Sequence, residues 1–119
     1  MATKQMLVTR FLPGLAVVLT SALGLVGSQA FAGDLVAGKA KAEAACQVCH
    51  GLDGKGVDPM VAHLSGQQKM YLIAQLDAYR TGKRHHEQMN IIAGMLSDED
   101  IENLAEWYSS IKITVEMPK

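Results

Sequence analysis

The chain has 119 residues, room for one domain, with eleven basic and twelve acidic side chains and a net charge of −1. That balance, with no polybasic run, argues against nucleic acid as a partner. Two cysteines allow at most one disulfide, which excludes a disulfide-stapled scaffold.

The first third reads as a secretory leader. Lys4 and Arg10 give a positive start, Phe11 to Val26 is uncharged and rich in Leu, Val and Ala, and Ala30-Phe31-Ala32 forms an A-x-A site. This order predicts a signal peptide over residues 1–32, cut between Ala32 and Gly33. The uncharged stretch from 11 to 32 is also long enough to serve as a membrane anchor. Pro13, Gly14, Gly24 and Gly27 weaken a continuous span, so cleavage is the favoured reading. No other segment is apolar enough to cross a bilayer. Cleavage leaves a domain over residues 33–119; without Lys4 and Arg10, nine basic residues face twelve acidic ones, a net charge of −3. A domain of that size has a limited core and benefits from a staple such as a metal or a large cofactor.

The mature part reads as all-α, with no alternating β-branched run. Asp34 is a candidate N-cap for a helix from Leu35 to Ala45, rich in Ala and Lys. Gly38 lies inside that helix, where it costs about 1 kcal/mol relative to Ala, so a close packing contact is expected there. Gly51 to Gly66 reads as a loop, of a length that is usually functional. A second helix is expected over Gln67 to Thr81, with Leu72, Leu76 and Tyr79 on one face and Gly82 as its stop. Lys83 to Asn90 reads as a second, polar loop. Ser97-Asp98-Glu99-Asp100 opens a third helix with a capping box, followed by Ile101, Leu104, Ala105, Tyr108 and Ile111 at helical spacing.

Between the first helix and the first loop stands Cys46-Gln47-Val48-Cys49-His50, the C-x-x-C-H pattern of covalent haem attachment. Each thiol adds across one vinyl group of the haem, and two intervening residues let the backbone span both vinyls. A histidine next to the second cysteine then lies under the iron as its proximal ligand. Zinc held by the cysteines and two of His63, His85 and His86 is a weaker reading. A thioredoxin-like pair lacks its βαβ setting, a disulfide across so short a loop is strained, and an iron–sulfur cluster wants four cysteines.

For the second axial position, the candidates are Met60, Met70, Met89, Met95, Met117, His63, His85 and His86. Met70 falls within the second helix and Met117 in the tail. Methionine is more often core filler than ligand, and spacing alone leaves Met89 and Met95 even.

The mature chain resembles a small class I cytochrome c, most like one monohaem domain of the bacterial cytochrome c-four group. The resemblance is carried by C-Q-V-C-H-G-L-D-G-K-G at 46–56, L-S-G-Q at 64–67, Y-L-I-A-Q-L at 71–76, Y-R-T-G-K-R at 79–84 and M-N-I-I-A-G-M-L-S-D-E-D-I at 89–101. It implies three main helices wrapped around one haem c held through two thioethers. In that group the methionine ligand stands eight residues before the serine that caps the last helix, which implies Met89 and leaves Met95 to packing. The group also carries a proline four residues before the glycine of L-x-G-Q, whose carbonyl orients the proximal histidine. The equivalent residue here is Ala62, with Pro59 three residues earlier.

The implied function is an exported, periplasmic electron carrier, not an enzyme, with one haem ligated by His50 and Met89. Its partners are redox donor and acceptor proteins, and the mature protein is expected as a monomer or weak dimer without a membrane span. Lys55, Lys69, Lys83 and Arg84 are candidates for a docking rim, against a default of plain solvation. Tyr71, Tyr79 and Trp107 read as haem-packing or helix–helix contacts rather than redox relays. Two alternatives stand beside the carrier: a fixed cytochrome subunit of an exported dehydrogenase or oxidase, and a haem enzyme or gas sensor with an open iron position.

Overall fold

The computed structural model describes residues 32–119. The leader expected over 1–32 therefore lies outside the described residues, apart from Ala32. Five helices follow in order: α1 (Leu35–Ala45), α2 (Gln47–His50), α3 (Lys69–Arg80), α4 (Glu87–Gly94) and α5 (Asp98–Ser110). Among the described residues there is no strand, and no helix is long and apolar enough to cross a membrane.

The first and last long helices cross and form the frame. Asp34 caps α1, its carboxylate accepting from the N–H groups of Val36 and Ala37 at 2.7 and 2.9 Å. The Asp34 N–H donates to Oδ1 of the buried Asn103 on α5, at 2.7 Å. One turn later Gly38 packs against the Asn103 carbonyl and the Trp107 side chain. A side chain at 38 would hold the helices apart, so the glycine expected to mark a close contact does so at the α1–α5 crossing.

α5 begins with the capping box foreseen in the sequence. Ser97 Oγ accepts from Asp100 N–H at 3.0 Å, and the Asp100 carboxylate accepts from Ser97 N–H at 3.1 Å. Three acidic residues in its first turn favour the positive end of the helix dipole. Its apolar face supplies Ile101, Leu104, Ala105 and Tyr108 to the core, where they meet Ala42 of α1 and Leu72 of α3. That core is small: Ile101 is the largest fully buried side chain among the described residues.

α3 ends at Thr81 and Gly82, the latter at φ 73°. Arg80 then joins this end to the start of α5. Its guanidinium donates to the Leu96 carbonyl at 3.2 Å, Asp98 at 2.6 Å and Asp77 at 2.7 Å.

One element departs from expectation. Lys83 to Asn90 reads as loop in the sequence, whereas α4 starts at Glu87 and packs on α3. Its N-cap is His86, whose Nδ1 accepts from Met89 N–H at 3.3 Å. Histidine is not among the residues that usually announce a helix start, so the boundary carries no ordinary signal. Met89 consequently sits in the first turn of a helix rather than in a loop.

Candidate functional site

The C-x-x-C-H segment is one turn of helix. Cys46 ends α1 and caps α2, and its carbonyl accepts from the N–H groups of Cys49 and His50 at 3.2 and 2.9 Å. Gly51 stops that turn at φ 73°, a conformation that side chains rarely adopt. The chain then folds back on the motif. Gly56 N–H donates to the His50 carbonyl at 2.8 Å, Val57 N–H to that of Cys49 at 2.9 Å, and Leu64 N–H to that of Gly54 at 2.7 Å.

This fold-back brings Ala62 to His50, with the Ala62 carbonyl oxygen 3.0 Å from Nδ1. A carbonyl only accepts, so the bond requires the proton on Nδ1 and leaves the Nε2 lone pair of the neutral ring free. Metal-bound histidines are oriented by such a partner on the other nitrogen. Ala62, not Pro59, supplies it here.

Helix α5 braces the other side of the motif. Tyr108 Oη donates to the Gly51 carbonyl at 3.2 Å, and Trp107 Nε1 to the Leu52 carbonyl at 3.1 Å. Trp107 thus acts as a structural contact, while Tyr71 is exposed. Tyr108 also meets Cys46. Burial pushes the Cys46 thiol up to about 11, against the opposing pull of the Tyr108 hydroxyl and of Lys41. Burial likewise raises the Tyr108 hydroxyl, with the neighbouring Cys46 adding to it. Both groups are therefore neutral at ordinary pH. Cys46 is partly buried and Cys49 exposed, and both are free thiols.

Met89 lies on α4 and is half-buried, whereas Met60, Met70, Met95 and Met117 are all exposed. Met95, expected as a packing residue, is 69% exposed at the C-cap of α4, which ends at Gly94. His63 and His85 are exposed; His86, also exposed, caps α4. Of the basic residues considered for a rim, Lys69 is engaged by Glu106 at 2.8 Å and Glu102 at 3.4 Å. Arg84 lies over the Tyr79 ring, 4.6 Å from its centre. That leaves Lys55 and Lys83.

These features fit a haem. Two unpaired thiols stand one helical turn apart beside an imidazole whose Nε2 is free. Leu52, Leu64, Ile73 and Leu76 back onto the core while staying only partly buried, which suits a large flat apolar group. Zinc finds less support, since among the described residues no three His, Cys, Asp or Glu side chains cluster to hold a metal ion. Sequence reasoning missed the bracing of the motif by Tyr108 and the burial of Asn103 at the α1–α5 crossing. Tyr108 reads as part of the apolar stripe, and nothing in the sequence marks Asn103 as buried.

Comparison with known proteins agrees with this geometry. The family model described as cytochrome c matches residues 35–112. Cytochrome c4 of Pseudomonas aeruginosa is 41% identical over 103 residues, covering 87% of this chain and 51% of that protein. Cytochrome c-554(548) of Halomonas halodenitrificans is 43% identical over 82 residues, covering 66% of this chain and 98% of that protein. A solved cytochrome c4 of Acidithiobacillus ferrooxidans superimposes with a TM-score of 0.62 at 31% identity, over 71% of this chain and 54% of that one. The chain thus spans about half the length of the cytochrome c4 relatives it matches.

Proposed function

Because this chain belongs to the cytochrome c family, an all-α fold carrying covalently bound haem c for electron transfer, we propose that it is an exported single-electron carrier with His50 and Met89 as axial ligands. Cys46 and Cys49 form the two thioethers. Bound there, the haem supplies the one-electron couple; the protein supplies ligation, a dry surround and orientation.

The observation that carries this reading is the His50–Ala62 bond, which leaves Nε2 free beside two unpaired thiols. Nδ1 keeps its proton on the Ala62 carbonyl, so the ring stays fixed in one tautomer. Cys46 carries no titratable proton as a thioether, and Tyr108, its hydroxyl raised by burial, stays neutral beside it. Met89 is favoured as the opposing ligand because, among the described residues, it is the one methionine held partly inside the fold. A thioether on that side raises the reduction potential relative to a second histidine. Were His50 and Met89 both to hold the iron, no position would be open to substrate, which would set the carrier apart from an enzyme or sensor.

Visible and near-infrared spectra of the purified protein test this. Haem surviving denaturation, the long-wavelength band of Met-ligated ferric haem, and resistance of the reduced protein to carbon monoxide are expected. Met89→Ala should remove the band, lower the potential and admit carbon monoxide. A parent protein that lacks the band and takes up carbon monoxide readily would overturn the carrier. Recovery of the mature protein from the periplasm with Gly33 at its N-terminus tests export.

A further inference from the structure

The residue after Met89 carries an unusual share of the local hydrogen bonding. Asn90 Nδ2 donates to the Tyr79 carbonyl at 2.6 Å and to the Arg84 carbonyl at 2.8 Å. Its Oδ1 accepts from the His86 N–H at 2.7 Å. The partners fix the amide's orientation, since only the NH₂ can meet two carbonyls and only the oxygen can meet an N–H.

Each partner marks a different piece of chain. Tyr79 lies in the last turn of α3, where its carbonyl also accepts from Gly82 N–H at 3.2 Å; Arg84 lies in the connection; His86 is the N-cap of α4, just before its first N–H groups. One short side chain therefore ties the end of α3, the connection and the start of α4 into a single block. Met89 stands inside that block, its own N–H held by His86 Nδ1.

From this network we infer that Asn90 is the positioning residue for the Met89 ligand, an assignment that rests on Met89 ligation as proposed above. A methionine thioether is a weak ligand that an external base can displace. The apparent affinity of that base scales with the fraction of molecules in which the methionine has left the iron. Holding the first turn of α4 against α3 keeps that fraction small. The Tyr79 ring reinforces the same block, with the Arg84 guanidinium 4.6 Å from its centre and the His86 ring edge-on at 6.4 Å, but Asn90 is the group that bonds the backbone of all three pieces.

The test is imidazole titration of the ferric holoprotein, read from the loss of the Met-ligand band. Asn90→Ala should bind imidazole about tenfold more tightly than the parent, the factor expected from losing hydrogen bonding of ordinary net strength. Asn103→Ala is the control. It removes a buried hydrogen bond at the start of α1, so it lowers overall stability while leaving imidazole affinity at the parent value. If Asn90→Ala does not fold with haem, Asn90→Ser decides in its place. It keeps one donor and one acceptor on a shorter stem and should give an affinity between those of the parent and the alanine variant. Imidazole affinity unchanged in the asparagine variant, or raised equally in Asn103→Ala, overturns the positioning role. If Met89→Ala removes the parent's band while Asn90→Ala leaves imidazole binding unaltered, only the Asn90 assignment falls. If Met89→Ala keeps the band, the ligand assignment falls and this one falls with it.

Discussion

The carbonyl of Ala62 accepts from Nδ1 of His50 at 3.0 Å, across a loop that doubles back on the helical turn holding both cysteines. The bond uses a backbone atom, so its existence does not depend on the side chain at position 62. What a side chain there changes is how firmly the carbonyl is held. The resemblance to the cytochrome c-four group implies proline at this place, so the backbone is expected to accept one. Ala62→Pro should keep the spectrum and raise stability by about 0.4–1 kcal/mol through a stiffer unfolded chain. Denaturant titration of the holoprotein, followed in the visible band, measures this. A fall in stability would show that the loop here takes a different backbone path.

Removing both thiols should cost more than the cofactor. The core is small, and Leu52, Leu64, Ile73 and Leu76 are left only partly buried. A domain near 87 residues with so little burial depends on the apolar surface of its prosthetic group. Cys46→Ala with Cys49→Ala should yield protein whose haem is lost on denaturation, with most of the far-ultraviolet helical signal gone. Retention of full helicity without haem would show that the helical frame stands by itself.

Acid should act on the start of α5. Burial raises the Asp100 carboxyl, but the hydrogen bond to Lys41 and the capping bonds with Ser97 outweigh it and leave it below the ordinary value of 3.8. A carboxyl depressed in the folded state stabilises it above the ordinary value, and that contribution is lost as pH falls through the folded one. Thermal melts of the parent should therefore fall more steeply below pH 3.8 than those of Asp100→Asn. At neutral pH the variant should be weaker by about 0.5–1 kcal/mol, the usual scale for a cap and a dipole-paired charge. Equal acid slopes in the two proteins would assign the acid sensitivity elsewhere.

The elements legible in the sequence were those with chemical punctuation. Asp34 and Ser97 announce α1 and α5, Gly82 stops α3, and the C-x-x-C-H spacing marks the site, because each rests on a local rule that tertiary packing does not override. α4 escaped because a histidine caps it and an asparagine four residues later closes its entry, neither of which is a usual start signal. Met95 departs from the packing role that the resemblance implies, since α4 ends one residue before it and its side chain is exposed. With the side chain 69% exposed, Met95→Ala should change stability by less than about 0.5 kcal/mol and leave the Met-ligand band intact. Loss of the band in that variant would move the ligand from Met89 to Met95.

Gly38 sets two opposing effects against each other. In an exposed helix, Gly→Ala stabilises by about 1 kcal/mol, through a smaller loss of backbone freedom. At position 38 the new methyl would fall inside the contact distance of the Asn103 carbonyl oxygen, with the carbonyl carbon at 2.8 Å and Trp107 Cβ at 3.0 Å. The first two are backbone atoms in the middle of α5 and have no rotamer to escape into. Relief requires the two helices to move apart. That motion stretches the 2.7 Å bond from Asp34 N–H to Asn103 Oδ1 and shifts Trp107 and Tyr108, which hold the Leu52 and Gly51 carbonyls beside the haem-attachment turn. Overpacking of this kind costs about 1–3 kcal/mol, more than the propensity gain returns. Gly38→Ala should therefore be destabilised, with Gly38→Val worse. Because the strain reaches Gly51 and Leu52, the change should also loosen the loop that carries Ala62 to His50. Amide hydrogen exchange at Gly56 and Val57, whose N–H groups close that loop onto His50 and Cys49, should quicken in the variant. A Gly38→Ala protein more stable than the parent would mean that α1 and α5 slide past each other freely, and that the crossing does not fix the site.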